Sequence, residues 1–157
     1  MRLFVPTGNG RQRLSVLGAL NAITHELITV TTCETINAES VCTLLRQIAA
    51  AVHGPTTLVL DNARYQHCRL VTALARSLGI HLLFLPSYSP NLNLIERLWK
   101  FIKGRSLYSH CHPDFAAMKS SIERCIEEIN QGVHDKALDT LLTHNFQTFA
   151  EMPTVAA

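Results

Sequence analysis

The stretch from Thr57 to Glu96 constrains this chain most. Two apolar runs, Leu58–Leu60 and Leu82–Leu85, are too short for helices and rich in strand formers, so each predicts a buried strand. Between them Leu70, Val71, Leu74, Ala75 and Leu78 recur at helical spacing and stop at Gly79, a natural C-terminal cap. A strand, a helix and a strand in that order predict a crossover that sets the two strands parallel in one sheet. Ligands and catalytic groups gather at the carboxyl ends of such strands, and Asp61 stands at one of them.

A second acid follows on the next element. Ser89 can cap a helix and Pro90 suits its first turn, which places Glu96 on the second turn of a helix continuing through Lys100 and Lys103 to Gly104. An acid at a strand end and an acid on the helix after the next strand can converge on a divalent cation, and hard cations such as magnesium take oxygen ligands of this kind. Pattern alone equally allows Asp61 as a turn residue before Asn62, and Glu96 as a solvated helix residue. Asn93, Glu96, Lys100 and Lys103 fall at offsets of three, four and three, hence on one helix face. The lysines there would hold phosphates as point charges, or simply face water. Leu94, Leu98, Phe101 and Ile102 lie on other sides and are expected to pack inside, and Trp99 is expected in the core or at a subunit contact.

Charge is distributed to match. Net charge is only +2, yet residues 61–105 hold seven Lys/Arg against two acids, Asp61 and Glu96, giving +5. Residues 1–60 give +1 and residues 106–157 give −4. A phosphate-binding face needs this concentration of positive charge around the two candidate ligands.

The flanking sequence predicts one domain and supplies the rest of an α/β core. At 157 residues, 47% hydrophobic and 17% charged, the chain is long enough to bury a core. Met1 to Pro6 reads as a short apolar run before a Gly-rich turn. Arg13 to Leu20 and Glu26 to Thr32 predict an antiparallel hairpin turning near Asn21 to His25. Asn37 caps a helix with Ser40 three residues on, and Val41, Leu44, Leu45, Ile48 and Val52 form one face up to Gly54-Pro55. A last amphipathic helix spans about Phe115 to Asn130, and residues 131–157 are expected as a loosely held tail beyond the 1–130 domain. Five scattered cysteines without a Cys-x-x-Cys pair argue against a disulfide framework. His110-Cys111-His112 is a weak zinc candidate, because a local trio lacks a distant partner pair. No apolar run approaches a membrane span, so the expectation is a soluble, cytoplasmic protein without a membrane partner.

Three segments together carry a resemblance: Leu58-Val-Leu-Asp61-Asn62-Ala63, Leu85-Pro86-Ser-Tyr88-Ser-Pro90, and Asn93-Leu-Ile-Glu96-Arg97-Leu-Trp99. They resemble the second and third acidic motifs of insertion-sequence transposases of the IS630 and Tc1/mariner group, in the DDE superfamily. The thirty-four residues between Asp61 and Glu96 are the interval that group is named for. The resemblance covers roughly residues 8 to 130. It implies a ribonuclease-H-like (retroviral-integrase-like) mixed sheet flanked by helices, and a function in DNA transposition and integration. Three carboxylates would hold two ions, magnesium or manganese, for strand cleavage and strand transfer on DNA, at the element's ends and at the target.

Carried onto this sequence, Asp61 and Glu96 are catalytic and metal ligands, Asn62 and Asn93 support them, and Arg64, Arg97, Lys100, Lys103 and Arg105 contact DNA. The family usually has a histidine five residues after this aspartate; here Gln66 holds that place and His67 follows, so Asn62 is favoured over His67 as a site residue. The first aspartate of the family belongs on a strand upstream of the part that Gly8 to Leu20 resembles, and nothing here matches it. The family's helix-turn-helix domains are not matched either. The resemblance therefore implies a C-terminal portion of a transposase, impaired as it stands, able to pair with a second copy or an intact transposase. A remnant that binds DNA without cutting it, and a purely structural relic, are the alternatives. The missing strand is central in that fold, so its two neighbours would expose unpaired edges. Met1 to Pro6 could substitute in part, a second chain could fill the gap, or the domain could be poorly stable alone.

Overall fold

The structure, a computed structural model, describes residues 2–6, 12–86, 92–108 and 111–143. Among the described residues five strands and five α-helices follow in the order β1 (Arg2–Pro6), β2 (Arg13–Leu20), β3 (Leu27–Thr32), α1 (Ala38–Ala51), β4 (Thr56–Leu60), α2 (Arg69–Ser77), β5 (Ile80–Phe84), α3 (Leu94–Lys103), α4 (Phe115–Asn130) and α5 (Asp135–Leu141). The expected hairpin and the strand, helix, strand unit are both present. β2 pairs β3 antiparallel with Leu20 opposite Leu27, and β4 pairs β5 parallel with Leu58 opposite Leu82. Gly79 ends the intervening helix at φ +71, a conformation that costs glycine nothing.

β2 is the central strand of the packing. Its even-numbered side chains Leu14 and Val16 enter a core with Leu98, Trp99 and Ile102 of α3, Ile122, Ile126 and Ile129 of α4, and Leu138 of α5. Its odd-numbered Leu17 enters a second core with Leu44, Leu45 and Ile48 of α1 and Val71 and Ala75 of α2. A strand covered on both faces reads as a continuous buried run, and residues 14–18 are all buried. Asn37 caps α1 by accepting from the Ser40 amide at 3.0 Å, the cap the sequence predicts.

Arg2–Pro6 answers part of the missing-strand question. It pairs antiparallel with β2 from Arg2 opposite Leu17 to Pro6 opposite Arg13, on the edge away from β3. Its pairing stops at Leu17. Among the described residues β4 pairs with β5 alone, so the antiparallel and parallel halves of the sheet stand as two pieces. Ala19 and Leu20 of β2, Thr57 and Val59 of β4, and residues 92–95 before and at the start of α3 line an open groove of about 530 Å3.

Three expectations are corrected. β4 and β5 are buried on one face only: Leu60 and Ile80 are covered, whereas Val59 and Leu83 are 41% and 48% exposed. Leu70, assigned to the buried face of α2, is 54% exposed, because that helix packs through Val71 and Ala75. The chain after Gln131 is not a loose end as far as it is described. α5 follows Gly132, and Leu138 and Leu142 are 0% and 3% exposed in the core of α3 and α4. Seven residues span only two helical turns, too few for apolar periodicity to mark a helix.

Candidate active site

Asp61 is the first residue beyond β4, half-buried, where the strand leaves the sheet. A 3-10 turn, Arg64–Gln66, follows and folds the chain back toward it. Gln66 is 0% exposed and its Nε2 donates to Asp61 Oδ1 at 2.8 Å, while its Oε1 accepts from the Ala63 amide at 3.2 Å. One residue along, the His67 ring nitrogen bonds Asn62 Oδ1, and the ring stacks on Phe84 with centroids 3.9 Å apart. Two side-chain pairs, each five residues apart, thus lock the acid and its neighbour across one turn. The sequence favoured Asn62 over His67; the structure joins the two.

Glu96 lies in α3. That helix begins at Leu94 with Asn93 as N-cap, so Glu96 sits in the first turn rather than the second. The Ser89 cap and the Pro90 first turn fall outside the described residues. The first-turn position suits a carboxylate, because the free amide groups of a helix start attract negative charge. Burial pushes the Glu96 carboxyl above its usual range, repulsion from Asp61 acts in the same direction, and Lys100 and Lys103 pull it back. Asp61 therefore lies within electrostatic reach of Glu96.

Asn93, the N-cap of α3, is 7% exposed. Lys100 is exposed and Lys103 half-buried on the Glu96 side of α3; Arg64 is exposed beside Asp61. Arg105, on the π-helical turn after α3, lies over the Phe101 ring at 5.6 Å. Arg97 has another use. Its Nη1 donates to the carbonyls of Leu141 at 3.4 Å and Thr143 at 2.9 Å, so it caps the C-terminal end of α5, where the helix dipole favours a cation. Trp99 is core, 2% exposed. Among the described residues no three His, Cys, Asp or Glu side chains converge as a metal site. Of the zinc trio, His110 lies outside the described residues and Cys111 is an exposed free thiol.

The donor set fits a hard divalent cation as far as it goes. Both acids present carboxylate oxygens, and the Asp61 charge raises the cost of ionising Glu96, a cost a cation between them would lower. Asp61 and Glu96 would hold it. What sequence reasoning missed is Gln66. The available signal was its position, five residues after Asp61, where the transposases usually place another side chain able to donate a hydrogen bond.

The profile of the DDE superfamily endonuclease family matches residues 2–119. No curated protein sequence matches the chain. Among solved structures, the catalytic domain of the Mos1 transposase with raltegravir and Mg is similar at a TM-score of 0.65 and 16% identity, over 96% of this chain and 83% of that one. A second structure of the Mos1 mariner transposase catalytic domain is similar at 0.63 and 15% identity, over 92% and 81%. A chain of the simian T-cell lymphotropic virus intasome, in complex with PP2A regulatory subunit B56 gamma, is similar at 0.58 and 16% identity. It covers 78% of this chain, which spans only 45% of the intasome chain. These likenesses establish the expected ribonuclease-H-like α/β fold.

Proposed function

The chain belongs to the DDE superfamily endonuclease family, and on that premise we propose that it is a transposase catalytic domain of the IS630 and Tc1/mariner type. Its substrate is DNA, and its chemistry is divalent-metal-dependent strand cleavage and strand transfer. The observation that carries this reading is the placement of Asp61 at the end of β4 and Glu96 in the first turn of α3, close enough for the Asp61 charge to raise the Glu96 carboxyl. Magnesium or manganese, when bound, supplies a polarised phosphodiester and a water of lowered pKa.

The chain's own residues do the rest. Asp61 and Glu96 provide carboxylate oxygens, and Asn62 and Asn93 support them from the neighbouring turn and helix start. Lys100, Lys103, Arg64 and Arg105 hold the DNA backbone on the surrounding positive face. Arg97 belongs to the scaffold that sets α3 against α5. Two carboxylates are one short of the family's three, and no described acid joins them. The chain alone is accordingly an impaired nuclease, completed by a ligand from outside the described residues, with a second copy or an intact transposase as partner.

Nicking of supercoiled DNA in Mg2+ or Mn2+ tests the reading. Activity that disappears in both Asp61→Asn and Glu96→Gln supports it, and equal nicking by the variants removes the site assignment. A second reading, DNA binding without cleavage, is favoured by the +5 charge of residues 61–105. Salt-sensitive binding with no metal-dependent nicking would select it.

A further inference from the structure

Gln66 is an anomaly for a residue of its kind. A glutamine on a short 3-10 turn is ordinarily solvated, yet this one is 0% exposed and is the largest polar side chain fully buried in the described residues. A buried amide must satisfy both its ends, and here the two partners dictate its orientation. The Ala63 amide can only donate, so it faces Oε1 at 3.2 Å; Nε2 must then face Asp61, and it does so at 2.8 Å from Oδ1. Rotating the amide by half a turn would set two donors against each other and an oxygen against a carboxylate. The side chain therefore has one stable orientation, and through it Asp61 has one.

We propose that Gln66 is the positioning residue of the metal site: it fixes the Asp61 carboxylate by holding Oδ1, which leaves Oδ2 to take the cation. This inference rests on the metal reading of Asp61 and Glu96. The amide suits the task because it is neutral at every pH. It donates one hydrogen bond without bringing a positive charge that would compete with the cation for the carboxylate, and without a proton that the carboxylate could capture. The second pair, Asn62 with His67 stacked on Phe84, braces the same turn from its exposed side. Partners of metal-binding carboxylates are worth roughly 10–100-fold in metal affinity where they have been removed.

The test is Mn2+ binding by the full chain, measured by electron paramagnetic resonance of the free ion, in a two-by-two set: wild type, Gln66→Met, Asp61→Asn, and the double variant. Methionine keeps the length and volume of glutamine without its donor. The expected result is Mn2+ affinity lower by about 10–100-fold in Gln66→Met, and no further loss when Gln66→Met is added to Asp61→Asn. A merely structural glutamine would weaken folding equally in both backgrounds and leave the Mn2+ affinity of folded protein unchanged. That result overturns the inference. Wild type that takes up no Mn2+ overturns the metal reading itself, and the inference with it, and so differs from the first failure. Should Gln66→Met not fold, the wild-type side-chain amide resonances of Gln66 decide. They are expected to shift on adding Mg2+ to wild type and to stay fixed in Asp61→Asn; amide resonances indifferent to Mg2+ in wild type would equally overturn the proposal.

Discussion

Gly18 is the point at which the site's helix is seated on its sheet, and alanine there should unseat it. A Cβ at this position would lie 2.8 Å from Trp99 Cζ2, 3.0 Å from Trp99 Cη2 and 3.3 Å from Ile95 Cδ1, where ordinary contact begins at 3.4 Å. The ring must retreat by about 0.6 Å to restore contact distance, and Trp99, 2% exposed, is packed on its other sides. Overpacking of this kind costs about 1–3 kcal/mol. Alanine recovers about 0.4–1 kcal/mol by restricting the unfolded chain. The net destabilisation is roughly 0–2.6 kcal/mol, which at this length lowers Tm by up to about 10 °C. The chain has one tryptophan, so intrinsic fluorescence reports the contact directly while thermal unfolding by circular dichroism gives the stability. Trp99→Phe removes the two offending atoms, and in that background Gly18→Ala should be neutral or stabilising. An equal drop in Tm with and without the tryptophan ring would refute the reasoning. Glu96 lies three residues before Trp99 on the same helix, so Gly18→Ala should also weaken Mn2+ binding, with no acidic residue touched.

Other predictions follow from the same geometry. Because the folded state holds the Glu96 carboxyl above its usual value of 4.5, ionising it costs stability as pH rises past that value, and the cost is absent below it. Glu96→Gln should therefore raise Tm at pH 7 and leave it unchanged near pH 4, and Mg2+ should narrow the difference at pH 7; a gain that is the same at both pH values would contradict the sign. Arg97→Met removes charged hydrogen bonds to Leu141 and Thr143 and should cost about 1.5–3 kcal/mol, with hydrogen exchange rising first in α5. Lys100→Ala and Lys103→Ala should each reduce the slope of log K against log salt for DNA binding by about 0.9, whereas Arg97→Met should leave that slope alone. Burial raises the thiols of Cys42 and Cys125, so maleimide should label exposed Cys33 and Cys111 in the native protein and reach Cys42 and Cys125 only on unfolding.

Local patterning in the chain encodes the regular elements. The hairpin of β2 and β3, the capped α1, the parallel β4 and β5 and the span of α4 all follow from period-2 or period-3.6 apolar repeats bounded by Asn37, Gly54-Pro55 and Gly79. Asp61 and Glu96 were legible for the same reason, one at a strand end and the other on a helix face. Tertiary structure decided what depends on residues distant in the chain or on both faces of an element. It made Arg97 a cap on α5, a role hidden from local pattern because the carbonyls it meets lie more than forty positions away. It drew Leu138 and Leu142 into the core, since α5 owes its helix to packing rather than to its own seven residues. It left Val59 and Leu83 exposed, because burial of a strand is set by what covers the second face and not by the strand's own sequence. And it closed Gln66 onto Asp61: hydrogen-bond complementarity at 2.8 Å is a property of a folded turn, invisible to hydrophobic periodicity, which counts a glutamine only as polar.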